Sequence, residues 1–376
     1  MPTGGTLPAM SANETRVTPP RRPRLLPGLC LLWRAPDTAQ VGLDPVRAAV
    51  VSGLTPGQAD VLRELDGRHS LAELLRRGEA GGASAREVVE LLALLDRGGL
   101  VEDMAPPARP TPPASPTVRA AEPAVLPPRL APDALAWTLR TGRPGQPALA
   151  DRARATVVVR GDGRLAIATA TLLAAAGVGR VHVLAEGDVR PEDTGCGYLP
   201  CDVGRERGLA AVDAVARAAP GVRAGRTPPS RPAELVVLAD AAVPDPRLVR
   251  RLTLAGVPHL LVRVRDGAGV VGPLVLPGRS SCLTCHDLIR TERDPRWPAL
   301  AAQLAGRVQP VDVGCAMATA GLAVSQALVA LGWRHAGAVP PATVDGTLEL
   351  DPLRGTVLRR SWHRHADCPC WRIGPR

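Results

Sequence analysis

The 376-residue sequence has no lysine and no phenylalanine, one tyrosine (Tyr198) and one asparagine (Asn13). Without lysine there is no phosphate-binding loop of the GxxxxGK[ST] type, no Schiff-base lysine for pyridoxal chemistry and no kinase strand lysine. So few Phe and Tyr residues leave little for stacking on single-stranded nucleic acid. Ala, Arg, Gly, Pro, Val and Leu dominate instead, a skew that a GC-rich genome produces. All 46 basic residues are therefore Arg, and with 36 acidic residues the net charge is +10. These Arg residues are scattered rather than blocked, which makes a nucleic-acid partner unlikely and favours a solvated surface. No membrane span is expected, the apolar runs being broken by charge or Pro short of about 20 residues. The first residues lack the apolar core of a secretory signal. The reading is a cytoplasmic protein, so its eight cysteines point to metal or catalysis rather than disulfides.

The length suits two domains. Residues 1–22 read as a disordered tail, 23–103 as a first module, 104–133 as a Pro-rich linker and 134–376 as a second domain. In the first module, Leu31–Trp33 and Ala39–Gly42 flank a hairpin turn at Ala35-Pro36-Asp37. Thr55-Pro56, Ser70 with Glu73, and Ser84 with Glu87 start three helices. In the third, Val88, Val89, Leu91, Leu92, Leu94 and Leu95 are expected to form the buried face. Three helices and a hairpin suggest a winged-helix-like α+β module, either for packing or for binding.

The second domain alternates strands and helices, the pattern of a doubly wound, Rossmann-like α/β sheet. Its first strand (Ala155–Val159) runs into Gly161-x-Gly163-x-x-Ala166, a turn that brings backbone N–H groups to a phosphate at a helix N-terminus. Glu186 and Asp188 close the second strand about 25 residues on, where a carboxylate meets ribose hydroxyls. This fits a nicotinamide nucleotide or ATP. Cys282-x-x-Cys285 and Cys368-x-Cys370 supply four thiols, a set suited to a closed structural zinc site, with His363 or His365 as substitutes for one ligand. Cys315 lies in a small-residue helix and Cys196 and Cys201 flank a loop; buried packing is the plainer reading for the first, and none is assigned chemistry.

The series formed by the glycine turn, AAAGVGRVHVL, DVG-R-x-R before a helix, CxxC and a C-terminal cysteine pair resembles the ThiF/MoeB/ubiquitin-activating superfamily. The stretch GPLVLPGRSSCLTCHDLIRTERDPRWPALAAQL with HADCPCW resembles its actinobacterial branch associated with azole-forming cyclodehydratases. LDGRHSLAELL resembles the PqqD-like peptide clamps, in which a leader peptide adds as a strand. The resemblance implies Mg-ATP-dependent adenylation of a peptide or small-protein carboxylate, or delivery of a precursor peptide to a YcaO-type partner enzyme, with a homodimer expected. It places Gly161, Gly163 and Ala166 at the nucleotide loop and Glu186 and Asp188 at the ribose. Arg207 stands where the family keeps a phosphate-binding Lys, and Asp240 near the Mg-binding Asp. The family's Asn and Arg beyond the second strand fall around Thr194–Gly197, which has neither. The sequence therefore also admits a non-catalytic peptide-binding scaffold, and a nicotinamide oxidoreductase as a further alternative.

Overall fold

The computed structural model describes residues 19–44, 48–104, 127–333 and 340–372. Of the tail (1–22) and the linker (104–133) read above, residues through 18 and 105–126 lie outside the described residues, whereas the last residues of the linker range are helical, Pro128–Leu130 in a 3-10 turn and those from Ala131 in an α-helix. The chain divides into two compact units, one of Met1–Pro123 with Leu135–Arg143, the other of Ala124–Ala134 with Pro144–Arg376.

The first unit is built from β1 (Pro23–Leu25), β2 (Leu31–Ala35), β3 (Thr38–Val41), β4 (Ala49–Ser52), α1 (Pro56–Arg63), α2 (Leu71–Ala80), α3 (Ala85–Arg97) and β5 (Val101–Asp103). β2, β3 and β4 form an antiparallel meander, and β1 pairs with β5. Each helix starts at a reciprocal capping box: Thr55 with Gln58, Ser70 with Glu73, Ser84 with Glu87. Along α3, Val88, Leu91, Leu92 and Leu95 are buried, the i, i+3, i+4, i+7 stripe of a helix facing a core. Leu94, expected in that stripe, is exposed, because it stands on the far side of the 3.6-residue period.

The second unit opens with α4 (Ala131–Thr141), whose last turns belong to the first unit, and α5 (Gly145–Arg154). There follow β6 (Thr156–Arg160), α6 (Arg164–Ala175), β7 (Arg180–Leu184), α7 (Arg207–Ala218), β8 (Arg223–Gly225), β9 (Leu235–Ala239), α8 (Pro246–Leu254), β10 (His259–Arg265) and β11 (Ala268–Val275). The chain ends with α9 (Leu283–Arg293), α10 (Trp297–Leu304), α11 (Val313–Gly332), β12 (Gly346–Asp351) and β13 (Thr356–Ser361). The eight strands form one sheet in the order β13-β12-β11-β10-β9-β6-β7-β8. β10, β9, β6, β7 and β8 run parallel, and an antiparallel meander extends the β10 side.

Both sheet faces are covered, so β9 is apolar at every position and β6 carries Val157, Val158 and Val159 in an unbroken run. Val157 and Val159 of β6 join the larger core under α6, α7 and α11, whereas Val158 points to the smaller core with Val249 of α8 and Leu283 of α9. The run Val313–Gly332 corrects one expectation, since its 20 residues contain neither charge nor Pro. It is long and apolar enough to cross a membrane, but Ala316, Ala320, Ala323 and Ala327 are wholly buried in the sheet's main core. Small side chains at this spacing let the helix backbone lie close to its neighbours.

Candidate functional site

From β6 the chain winds outward through β7 and β8, and from β9 it winds the other way through β10. Strand order thus reverses between β6 and β9, where open α/β sheets form a crevice at the strands' carboxyl ends. A cleft of about 500 Å³ opens there, lined by Asp162, Gly163, Arg164, Arg190, Arg207 and Asp240 among others.

The glycine turn sits at this cleft, but its amides are already engaged. Asp240 follows β9 directly and adopts a left-handed backbone, φ 69°. Its Oδ2 accepts the N–H of Gly163 (2.9 Å) and of Ala166 (3.3 Å), and its Oδ1 accepts that of Leu165 (3.0 Å). A Cβ on Gly161 would lie 2.5 Å from Asp240 Oδ2 and 2.8 Å from the Ala239 carbonyl; one on Gly163 would lie 2.7 Å from Oδ1. The two glycines therefore make room for a carboxylate of the chain itself, and α6 has its anion at its N-terminus. Burial outweighs the three amides and pushes the Asp240 carboxyl up to about 6, with the nearby Asp162 adding to the effect.

Arg207 is also spoken for. Its Nη2 donates to Asp193 at 2.8 Å, and its Nη1 to the Glu186 carbonyl at 2.7 Å. Both side chains of the Arg207–Asp193 pair are about nine-tenths buried. Tyr198 donates to the Arg207 carbonyl (3.3 Å), and its phenol is pushed upward by burial. Glu186 and Asp188 are exposed at the end of β7, and neither is among the residues that line this cleft. The structure thus brings Gly163, Arg207 and Asp240 to one cleft, and Glu186 borders it, its N–H donating to the lining residue Asp162 at 2.7 Å.

The donors and acceptors present do not fit a nucleotide triphosphate bound through these groups. The α6 amides and the Arg207 guanidinium would first have to give up Asp240 and Asp193. Sequence reasoning missed Asp193 and the cleft arginines Arg164 and Arg190. Arg164 donates to the Val311 carbonyl (2.8 Å), and its buried Nε has no partner among the described residues.

The four cysteines form the second cluster. Cys282 caps α9 and Cys285 sits in its first turn, so the CxxC spacing turns both thiols to one point. Cys368 and Cys370 meet them from the C-terminal turn; Cys282–Cys368, Cys285–Cys370 and Cys282–Cys285 are 3.6, 3.5 and 3.7 Å apart at sulfur. All four are buried and their sulfurs lie within 4.8 Å of one another. A tetrahedron with Zn–S bonds of about 2.3 Å has edges of about 3.8 Å, so these three separations suit a tetrahedral zinc. The hydrogen bond between the Cys282 and Cys285 thiols draws Cys285 down and pushes Cys282 up. His365 is not a ligand substitute: its Nε2 meets Glu292 (2.8 Å) and its Nδ1 accepts the Asp367 N–H (3.1 Å). The remaining thiols stay apart; Cys196 and Cys315 are buried separately, and burial raises both.

No family model and no curated protein matches the sequence. Solved structures do match in fold. Escherichia coli MccB with ATP aligns over 93% of this chain and 99% of its own, with a TM-score of 0.69 at 13% identity. The microcin C7 biosynthetic enzyme MccB in complex with N-formylated MccA gives the same coverage, score and identity. Selenomethionyl PaaA aligns over 90% of this chain and 99% of its own, with a TM-score of 0.65 at 16% identity. This chain shares their fold. The likeness spans both units of the chain, and at these identities it describes architecture rather than chemistry.

Proposed function

We propose that this chain is a peptide-binding protein of the ThiF-type fold, which holds a precursor peptide for a partner modifying enzyme and has closed its own nucleotide site. The observation that carries the reading is the seating of Asp240 on the amides of Gly163, Leu165 and Ala166. The Arg207–Asp193 pair supports it, because the one arginine at the expected phosphate position is neutralised within the chain. The absence of the family's Asn and Arg around Thr194–Gly197 agrees with it, in a sequence whose composition otherwise favours Arg.

The peptide would be taken by the first unit, read as a PqqD-like clamp. Among the described residues, β2 and β4 each pair on one side only, and both expose side chains. An extended peptide can add to such an edge through backbone hydrogen bonds. Trp33 on β2 is partly exposed with the Arg63 guanidinium 4.4 Å over its ring, a flat surface beside that edge. A YcaO-type cyclodehydratase is the partner that the sequence resemblance suggests. Zinc held by Cys282, Cys285, Cys368 and Cys370 would be structural, since four thiolates leave it no open position. A homodimer remains part of the proposal.

The rival reading is ATP-dependent activation of a peptide carboxylate, favoured by the cleft's place at the strand-order reversal and by the ATP-bound MccB of the same fold. One experiment separates them. Candidate precursor peptides are titrated against the full-length, zinc-loaded protein, with ATP binding and ATP–pyrophosphate exchange measured in parallel. Peptide binding without nucleotide binding or exchange is expected; peptide-dependent exchange overturns the reading.

A further inference from the structure

We propose that the second unit carries a binding site for a small carboxylate with an aliphatic body, in the cleft bounded by α8, α9, β10 and the Cys368–Cys370 turn. It lies outside the strand-order crevice described above and does not rest on the peptide-binding reading.

The cleft encloses about 490 Å³, within the usual range for small-molecule pockets of about 300–1,000 Å³. Val243, Val249, Leu254, Leu261 and Leu283 supply aliphatic walls. No aromatic ring is among the lining residues, so a purine or nicotinamide would find nothing to stack on.

Cys282, Cys368 and Cys370 of the cysteine cluster and the hydroxyls of Thr253 and Thr284 also line the cleft, and among its other polar groups positive charge dominates. Arg250, Arg263 and Arg290 line the cleft against a single carboxylate, Asp287. Asp287 is already engaged: its Oδ1 accepts Arg290 Nη1 at 3.2 Å and Trp297 Nε1 at 3.0 Å. Arg263 is the decisive residue. It stands on β10, is 7% exposed and has no ion pair among the described residues. Its Nη1 donates to the Ala242 carbonyl, and its Nε is buried without a partner. Burial draws the guanidinium down to about 10, which leaves it cationic at neutral pH.

A buried guanidinium with no hydrogen-bonded counter-ion is costly; Asp287 and Glu349 favour the Arg263 charge only through space, and a ligand carboxylate bonded to it would relieve that cost. A guanidinium also offers the fork of donors that a carboxylate matches. Arg290, held between Trp297 and Trp362 with its Cζ 4.9 and 5.2 Å from their rings, is a second cation fixed in place. Exposed Arg250 adds positive charge to the same wall. The aliphatic walls then select the body of the ligand. Two sources carry this chemistry: a free aliphatic acid, or the C-terminus of an apolar peptide.

The test is calorimetric titration of the full-length, zinc-loaded protein, with Trp fluorescence as a second readout of Arg290 and its rings. The probes are octanoate, octanol and octylammonium, and N-acetyl-leucyl-leucine with its C-terminal amide. Octanoate or the free-acid dipeptide should bind saturably, and the uncharged or cationic counterparts about tenfold more weakly or worse. Preference for octanoate identifies a free acid as the source, and preference for the dipeptide acid over its amide identifies a chain end.

Arg263→Met should weaken acid binding by about tenfold or more. Leu254→Asp, at a position 55% exposed on the wall, opposes the anion while keeping Arg263, and should weaken it likewise even if the first variant fails to fold. Zinc content reports that the neighbouring cysteine cluster is intact in each variant. No saturable binding of any acid, octanol binding as tightly as octanoate, or acid binding unchanged in Leu254→Asp overturns the proposal.

Discussion

Asp240 and His259 are buried ionisable residues whose contributions to stability respond to acid in opposite senses. The His259 ring is fully buried on β10; its Nδ1 lies 3.0 Å from the Val257 carbonyl and its Nε2 has no partner among the described residues. Burial draws it down to about 4 from an ordinary 6.5. Between those values the unfolded chain binds the proton and the folded chain does not, so stability rises with pH and is lost on acidification, by about 3 kcal/mol over the window. Asp240 is raised from 3.8 to about 6, so its contribution is present below the unfolded value and is lost as pH climbs through 6. His259→Leu should therefore remove about one proton's worth of acid sensitivity relative to wild type between pH 4 and 6.5. Asp240→Asn should do the reverse between pH 4 and 6, steepening the loss toward acid. Asn tolerates the left-handed backbone at this position but turns an N–H toward one of the three amides, a cost of about 1–2 kcal/mol at neutral pH. Urea unfolding of both variants across pH 4–7 measures these slopes; parallel curves for Asp240→Asn and wild type would refute the assignment of a raised carboxyl.

At the scale of elements, the cysteine cluster joins the first turn of α9 to the C-terminal turn, two segments about 85 residues apart in sequence. Holding them together closes the loop that carries α10, α11, β12 and β13. Cys368→Ser should bring bound zinc from one per chain to near none and lower the melting temperature by on the order of 5–10 °C. Cys196→Ser, in the separate core under α6, should leave zinc unchanged. Metal analysis alongside calorimetric melting checks both, and full zinc in Cys368→Ser would exclude that thiol as a ligand. The cluster was legible because two close cysteine pairs need only be brought together once. So were the capping boxes at Ser70 and Ser84, each a contact within four residues; at Thr55 the cap was legible, but not that Gln58 completes a box there. The glycine turn was legible as a turn but not in its use. Its spacing says that amides converge on an anion; it does not say that the anion is Asp240, some 75 residues on and delivered by β9. Arg207 lies beside the cleft, but its partner Asp193 ends a single 3-10 turn, Pro191–Asp193, too short to carry a periodicity that reveals which way the carboxylate turns. Leu94 failed for a simpler cause: composition marked α3 as apolar almost throughout, and only the helical period separates its buried side from its exposed one.

At the scale of the whole chain, the stretch after the Pro-rich segment contributes to both compact units, and this decides where the molecule can be cut. Residues 124–134 belong with the second unit, where buried Leu130 packs so closely that a Cβ on Gly177 would lie 2.8 Å from its Cδ1. Residues 135–143 belong with the first, where Leu135 and Leu139 cover Gly28, at 3.0 and 3.3 Å from where its Cβ would be. We propose the Pro-rich segment as a linker between two domains, yet the first domain's apolar cover lies beyond it. A fragment ending at residue 104 loses both leucines; a fragment ending at 143 keeps them. Leu135 and Leu139 are half-buried, and the area they cover is worth roughly 2 kcal/mol together. The 1–143 fragment should therefore resist urea more strongly than 1–104 by about that amount. Gly28→Ala should cancel much of the gain in the longer fragment, because φ is +90° there and the added methyl meets Leu135. The shorter fragment has no leucines to displace and should lose only the backbone term. Equal stability of the two fragments would mean that residues 135–143 contribute nothing to the first unit, and that the segment before them is a complete boundary.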